Sequence, residues 1–405
     1  MTVPVPDLTL NPFVSAMQPS ATMAMTARAR ARKREGHPVI GLSAGEPDFD
    51  TPVAIQDAAI AAIRDGYTHY TDNPGALDLR EAIAQKLLRD NGLSYTAEQI
   101  LTCNGAKQCI VQAVLALCRP GDEIIIPAPF WVSYPEMARL AGAVPVIVNT
   151  TAESGYLMDA DSLAQAITPK TRMLILCSPS NPTGGVYRRD QLEAIAAVLR
   201  ANPHVIVISD EIYEYVMYDA EAISFASLPD MKDRTLTVNG FSKGYAMTGW
   251  RLGYVAGNLT FIKAMARLQG QFTSAPSSIS QKAGLAALAL DRAEIDTMVS
   301  AFRKRRDLVL SALRDIPGIS CPTPEGAFYV FPQIGTFLGK KAPDGTTIAT
   351  SEDLCFYLLE SCNVALVPGE AFGDPHGLRI SYAASEEDLR EAMKRIRSGL
   401  LALSD

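Results

Sequence analysis

Five short runs of β-branched and aliphatic residues recur in the middle of the chain, at 123–127, 144–148, 173–177, 205–209 and 235–238. They are continuously apolar rather than alternating; Ile124, Ile125 and Ile126, for example, leave no side free for water. A strand of that kind is stable only when both faces are covered, and in a parallel sheet the helices between successive strands cover them. One such helical pattern, at 190–200 with Asp190 as its N-cap, lies between the third and fourth runs. The expected fold class is therefore α/β, built on a mostly parallel central sheet. Upstream, Thr51 as N-cap and Pro52 at the first helical position open a helix that carries Ile55, Ala59, Ala62 and Ile63 on one face and stops at Gly66.

The last hundred residues read differently. A charged helical pattern through 302–310 is followed by short strand candidates at 327–331, 364–367 and 378–382. Ser385 then caps a closing amphipathic helix with Leu389, Met393, Ile396 and Leu400 turned inward. This is the pattern of a smaller α+β domain, and 405 residues exceed what one core usually holds.

Composition narrows the function classes. The hydrophobic fraction of 48% and charged fraction of 20% are those of a globular protein, not of a disordered or collagenous one. Lys+Arg 37 against Asp+Glu 44 gives a net charge of −7, which argues against a general affinity for nucleic acid or anionic membrane. The one basic cluster, 27–34, spreads its charges around a helix and reads as a solvated face. Seven cysteines without a C-x-x-C pair, and four histidines without ligand spacing, predict free thiols in a reducing compartment and no metal site. No apolar run has membrane-spanning length and no secretory signal is visible, so a cytoplasmic protein is expected.

The polar residues that carry chemistry cluster after strands. Lys243 follows the fifth run between Ser242 and Gly244, and Arg251 stands eight residues on, so the two cations can converge on one anion. Alone, a lysine there is as well explained as a surface residue. Asp210 and Tyr213 follow the fourth run, where open α/β sheets bind ligands; a helix cap or structural ion pair accounts for the acid equally well. Asn181 is held between Pro179 and Pro182. Asn104, Gly105, Ala106 and Lys107 open an apolar helix whose amides suit a phosphate, although ordinary capping gives the same pattern. Trp131, one of only two tryptophans, offers an aromatic face or a core contact. Together a lysine, a carboxylate, an amide, an aromatic ring and a phosphate-type helix start suit a phosphorylated, planar, nitrogen-containing carbonyl cofactor.

Three segments make that set specific: Ser-Pro-Ser-Asn-Pro-Thr-Gly at 178–184, Ser-Asp-Glu-Ile-Tyr at 209–213 and Ser-Lys-Gly-Tyr-Ala-Met-Thr-Gly-Trp-Arg at 242–251. They resemble the pyridoxal-phosphate (PLP) enzymes of fold type I, and within them the class I aminotransferases of the bacterial aspartate aminotransferase branch. Pro-Ser-Ala-Thr at 19–22 and the segments 44–52, 131–136 and 378–382 extend the resemblance from about residue 15 to the C-terminus. It implies a large PLP-binding domain over 46–300 and a small discontinuous domain from 1–45 and 301–405.

The resemblance also implies roles. Lys243 would attach PLP covalently and, once freed, shuttle a proton; Asp210 would pair with the pyridine nitrogen. Asn181 and Tyr213 would bond the phenolic oxygen, and Trp131 would stack on the ring. Gly105, Ala106 and Arg251 would hold the phosphate, helped by Tyr70 from a partner subunit of a homodimer with shared active sites. Arg379, assisted by the backbone of Gly45, would grip the substrate α-carboxylate, and Lys107 would reach a distal carboxylate. Trp131 and Asn181 would also touch the substrate. Gln18 stands where relatives often have a basic residue, and Ala106 where a second glycine is usual.

The implied reaction is ping-pong transfer of the amino group of L-aspartate to 2-oxoglutarate, giving oxaloacetate and L-glutamate. Its rivals on the same scaffold are aromatic, prephenate/arogenate or kynurenine preference, and a PLP-dependent β-lyase. A PLP-binding transcriptional regulator would need a DNA-binding module, for which the residues before 15 leave no room.

Overall fold

The computed structural model describes residues 9–405; the first eight residues, which belong to the expected small domain, lie outside the described residues. Twelve strands follow in chain order: β1 (Ile40–Gly41), β2 (Ile100–Cys103), β3 (Glu123–Ala128), β4 (Val144–Asn149), β5 (Thr171–Cys177), β6 (Ile206–Asp210), β7 (Thr235–Gly240), β8 (Gly253–Ala256), β9 (Tyr329–Val330), β10 (Val364–Ala365), β11 (Val367–Pro368) and β12 (Leu378–Ser381). Seven of them form one sheet in the order β2-β8-β7-β6-β5-β3-β4. From β4 to β7 every neighbouring pair is parallel, and β8 runs antiparallel to both β7 and β2. The five expected strands are β3 to β7. The sequence pattern missed β2 and β8, because four-residue runs are too short to show a period.

The continuous apolar strands are explained by helices on both faces. Ile124 and Ile126 pack with Ile110, Ile262 and Met265 on one side. Ile125 and Leu174, one residue out of phase, pack with Leu192, Ile195 and Leu199 on the other. Each such side chain removed from water contributes roughly 1.5–3 kcal/mol. The parallel direction also sets function, since β3, β5, β6 and β7 all end at one edge of the sheet.

The C-terminal part is joined to the N-terminal segment by pairing of β1 with β10, Ile40 opposite Val364. A second small sheet has the order β11-β12-β9, all antiparallel. The expected strand at 327–331 contracts to β9, and the one at 364–367 breaks at Leu366 into β10 and β11, which pair with different partners. The closing helix Glu386–Leu401 is capped as expected, Ser385 Oγ accepting from the Asp388 amide at 3.0 Å.

Three local expectations need correction. The helix Val53–Arg64 begins after Pro52, which is its N-cap; Thr51 Oγ1 instead donates to the Ala246 carbonyl at 2.8 Å. On that helix Ile55, Ala59 and Ala62 are buried, but Ile63 is exposed. Asp190 lies inside the helix Arg189–Ala201, whose N-cap is Arg188. The basic run sits on the helix Ala21–Arg34, where Arg28 and Arg32 both pair with Glu360 and so tie it to the C-terminal part. All seven cysteines are free, four of them buried. Among the described residues no helix is long and apolar enough to cross a membrane, and no group of three potential metal ligands occurs.

Candidate active site

The carboxyl ends of the parallel strands open into a cavity of about 330 Å³. Ten of the twelve expected site residues line it: Gly45, Ala106, Lys107, Trp131, Asn181, Asp210, Tyr213, Lys243, Arg251 and Arg379. Gly105 lies directly behind Ala106. Tyr70 does not reach the cavity of its own chain and is 99% exposed.

The anion-binding end is built by close backbone approach. Gly105, at φ +82, is the N-cap of the helix Ala106–Leu117, and a Cβ there would stand 2.7 Å from Arg251 Nη2. On Gly253 a Cβ would come within 2.4 Å of the Ala106 amide nitrogen. At Gly253 the obstacle is backbone, so only glycine fits, and at Gly105 the positive φ favours glycine; the start of β8 and the guanidinium thus lie against the helix start. Arg251 itself adopts φ +53, and its Nη1 donates to the Thr248 carbonyl at 2.9 Å. A fixed cation and the partnerless first amides of a twelve-residue helix thus face one point.

Asp210 ends β6, only 4% exposed. Its carboxylate accepts from Tyr134 Oη at 2.6 Å and from the Ile212 amide at 3.3 Å. Neither donor is charged, and burial, which these bonds and the nearby Lys243 charge only partly offset, pushes its pKa up to about 6. Lys243 lies past the end of β7, its Nζ donating to the Gly45 carbonyl at 2.6 Å. Desolvation lowers its pKa to about 8; Glu46 opposes this, while Arg379 and Arg251 add to it. The amine therefore still carries its proton in most molecules at neutral pH but gives it up far more readily than an exposed lysine, which suits a nucleophile or proton carrier.

Arg379, on β12, is 1% exposed. Its Nη1 donates to Asn181 Oδ1 at 3.0 Å and its Nη2 to the Ser43 carbonyl at 2.6 Å, while its Nε has no partner. Asn181 is held between the cis peptides Ser178–Pro179 and Asn181–Pro182. Lys107 Nζ lies 4.8 Å from the ring centroid of Trp131, and burial, reinforced by Arg251, lowers its pKa.

Two lining residues escaped the sequence reading. Tyr134 stands three residues after Trp131 and supplies the shortest bond to Asp210; Tyr329 bonds Tyr213 at 2.8 Å and lies beneath Arg379. The period of a sequence does not report what a phenolic hydroxyl touches, so neither residue stands out there.

These features fit the group implied by the resemblance. A buried carboxylate whose hydrogen-bond donors are both uncharged suits a cationic ring nitrogen, the Gly105–Arg251 cradle suits a phosphate, and an arginine with a free N–H suits a carboxylate.

The comparisons with known proteins point the same way. The model of the family "Aminotransferase class I and II" matches residues 37–396. A relative from Pinus pinaster, an aspartate aminotransferase, is 55% identical over 99% of this chain and 82% of its own length. A bifunctional aspartate aminotransferase and glutamate/aspartate-prephenate aminotransferase from Petunia hybrida is also 55% identical, over 98% of this chain and 84% of its own. The solved structure of the Rhizobium meliloti aspartate aminotransferase superposes with a TM-score of 0.95 at 46% identity, covering 98% of this chain and 100% of that one. Fold, cavity and sequence agree, and the chain belongs to the class I and II aminotransferases.

Proposed function

We propose that this aminotransferase moves the amino group of L-aspartate to 2-oxoglutarate, forming oxaloacetate and L-glutamate in a ping-pong cycle. The observation that carries this reading is the placement of two cations, Arg379 and Lys107, on the cavity that also holds Lys243. An amino acid with two carboxylates meets a positive group for each.

When bound, PLP supplies an aldehyde carbon that can take and return an amino group, and a pyridinium ring that draws electrons from the substrate Cα. Gly105, Ala106 and Arg251 would hold its phosphate. Asp210 would face the ring nitrogen and hold a proton there. Asn181 and Tyr213 would face the phenolic oxygen, with Trp131 on the ring. Arg379, with Gly45 beside it, would fix the α-carboxylate through its planar fork and so orient the Cα–H bond. Lys243, with a pKa of about 8, would take the Cα proton and return it. Tyr134, Tyr213 and Tyr329, all buried, and the half-buried Trp131 wall this point.

The test of substrate class is a half-reaction panel: purified enzyme mixed with single amino acids, with the bound-cofactor spectrum and the oxo acid followed together. Aspartate and glutamate should convert fastest. In Lys107→Ala, kcat/KM for aspartate should fall about 10- to 100-fold, the loss of one charged hydrogen bond, with aromatic substrates little changed. Equal losses on both would rule out side-chain recognition by Lys107.

A second reading has one observation in its favour. Lys107 also borders a larger cavity of about 780 Å³, with Met17, Val111, Phe130 and Val132 on its walls and Gln18 at its edge. That space would accept a bulkier dicarboxylate such as prephenate. Prephenate-dependent consumption of aspartate discriminates the two.

We further propose a homodimer with shared sites. Tyr70 is almost fully exposed, and Val53, Ile60 and Ile63 present apolar surface on the nearby helix. If Tyr70 completes the phosphate site of the partner, mixed Tyr70→Phe and Lys243→Ala subunits should be more active than either parent. Activity no higher than the parents' would count against a shared site.

A further inference from the structure

Tyr329 touches two of the proposed site residues at once. Its hydroxyl lies 2.8 Å from Tyr213 Oη, and the two rings meet edge to face at 5.8 Å. The guanidinium carbon of Arg379 sits over its ring, 4.6 Å from the centroid. Both phenols are buried. The backbone is shaped around this hydroxyl: a Cβ on Gly45 would stand 2.9 Å from Tyr329 Oη, and the Gly45 carbonyl is the acceptor for Lys243.

Two buried hydroxyls that share one contact have one proton for that contact and one left over. Burial pushes both phenols up, so both protons are present at working pH. The charged and titratable groups that act on the pair are Arg379, Cys177 and Glu46. Resting on the PLP-aminotransferase reading, we propose that Tyr329 is a positioning residue. Its hydroxyl donates to Tyr213 Oη and so turns the Tyr213 proton toward the cofactor's phenolic oxygen, while its ring seats the Arg379 guanidinium. The residue that grips the substrate carboxylate and the residue that faces the cofactor are thereby set by one side chain. The hydrogen-bond chain strengthens the second bond by polarising its donor, and the ring attracts the guanidinium by its negative face.

The experiment uses the holoenzyme and reads the pH midpoint of its bound-cofactor absorption. Donation to the phenolic oxygen stabilises its negative charge and eases proton loss nearby, so weakening the donor raises the midpoint. Tyr329→Phe should raise it by about half a pH unit. Tyr213→Phe should raise it further, and adding Tyr329→Phe to Tyr213→Phe should change nothing more. An unchanged midpoint in Tyr329→Phe, or an equal rise in the Tyr213→Phe background, overturns the hydroxyl's role. Because Tyr329→Phe keeps the ring, the KM for aspartate should stay near that of the unsubstituted enzyme, whereas Tyr329→Leu should raise it about tenfold. Equal KM values in both variants overturn the ring's role. If the unsubstituted protein shows no bound-cofactor absorption, the PLP reading itself fails, an outcome distinct from all of these.

Discussion

Replacing Lys243 by alanine should reduce transamination by at least about 10⁴-fold, the upper range for loss of a positioned proton carrier. The more telling substitution is Lys243→Arg. Arginine keeps the positive charge and much of the reach, but it cannot lose a proton at any working pH. If Lys243 served only as a cation near Arg251 and Arg379, arginine would restore activity. The proposed role needs an amine that gains and loses a proton, and desolvation with two neighbouring cations brings its pKa down to about 8 for that purpose. Both variants should therefore be equally inactive in a steady-state assay with aspartate and 2-oxoglutarate, while their thermal midpoints stay near that of the unsubstituted enzyme. An arginine variant with more than a few per cent of the activity would remove the proton-carrying role.

The large sheet was legible because its signal is local. Ile124, Ile125 and Ile126 announce a strand covered on both faces, and each face has its own cluster of helix residues. The small sheets were less legible because their pairing is not local. Ile40 meets Val364 across most of the chain, and nothing in either two-residue strand names its partner. The break between β10 and β11 has the same origin, since each half answers to a different neighbour. The start of the helix Val53–Arg64 was misplaced because the expected cap, Thr51, is already engaged with the Ala246 carbonyl.

The site divides along a similar line. Residues placed by strand ends and sharp turns could be read in advance: Asp210 at the end of β6, Asn181 between two prolines and Lys243 past β7. Tyr134 and Tyr329 could not, because their importance lies in where a hydroxyl points after a whole ring has packed. Both are almost fully buried, and both bond a residue the sequence did identify. The polar chemistry of strand ends was thus readable one layer deep, and the aromatic layer that orients it emerged only with the fold. Tyr70 entered only through the resemblance, and in the single chain its side chain stays exposed.

Asp210→Asn should abolish activity and at the same time stabilise the cofactor-free protein. The carboxylate is 4% exposed, its bonds to Tyr134 and Ile212 are uncharged, and its pKa rises to about 6. A folded-state pKa above the unfolded value of 3.8 means that the folded protein binds the proton more readily. The stability cost of the charge is therefore absent below about pH 4, grows between about 4 and 6, and is fully present above that. Asparagine keeps the shape and an acceptor for Tyr134 but removes the charge. At pH 8 the cofactor-free variant should be more stable than the cofactor-free parent by roughly 1–3 kcal/mol, and the difference should vanish near pH 4. Activity should move the other way, falling at least about 10³-fold, because a neutral amide cannot hold a proton on the ring nitrogen. Denaturant melts of both cofactor-free proteins at the two pH values, beside a transamination assay, check both halves. A variant that is less stable at pH 8 would show that the buried charge is already compensated within the chain. In the proposed arrangement the missing partner is the cationic ring nitrogen. The charge that weakens the empty fold then becomes the one that binds the cofactor in its reactive protonation state.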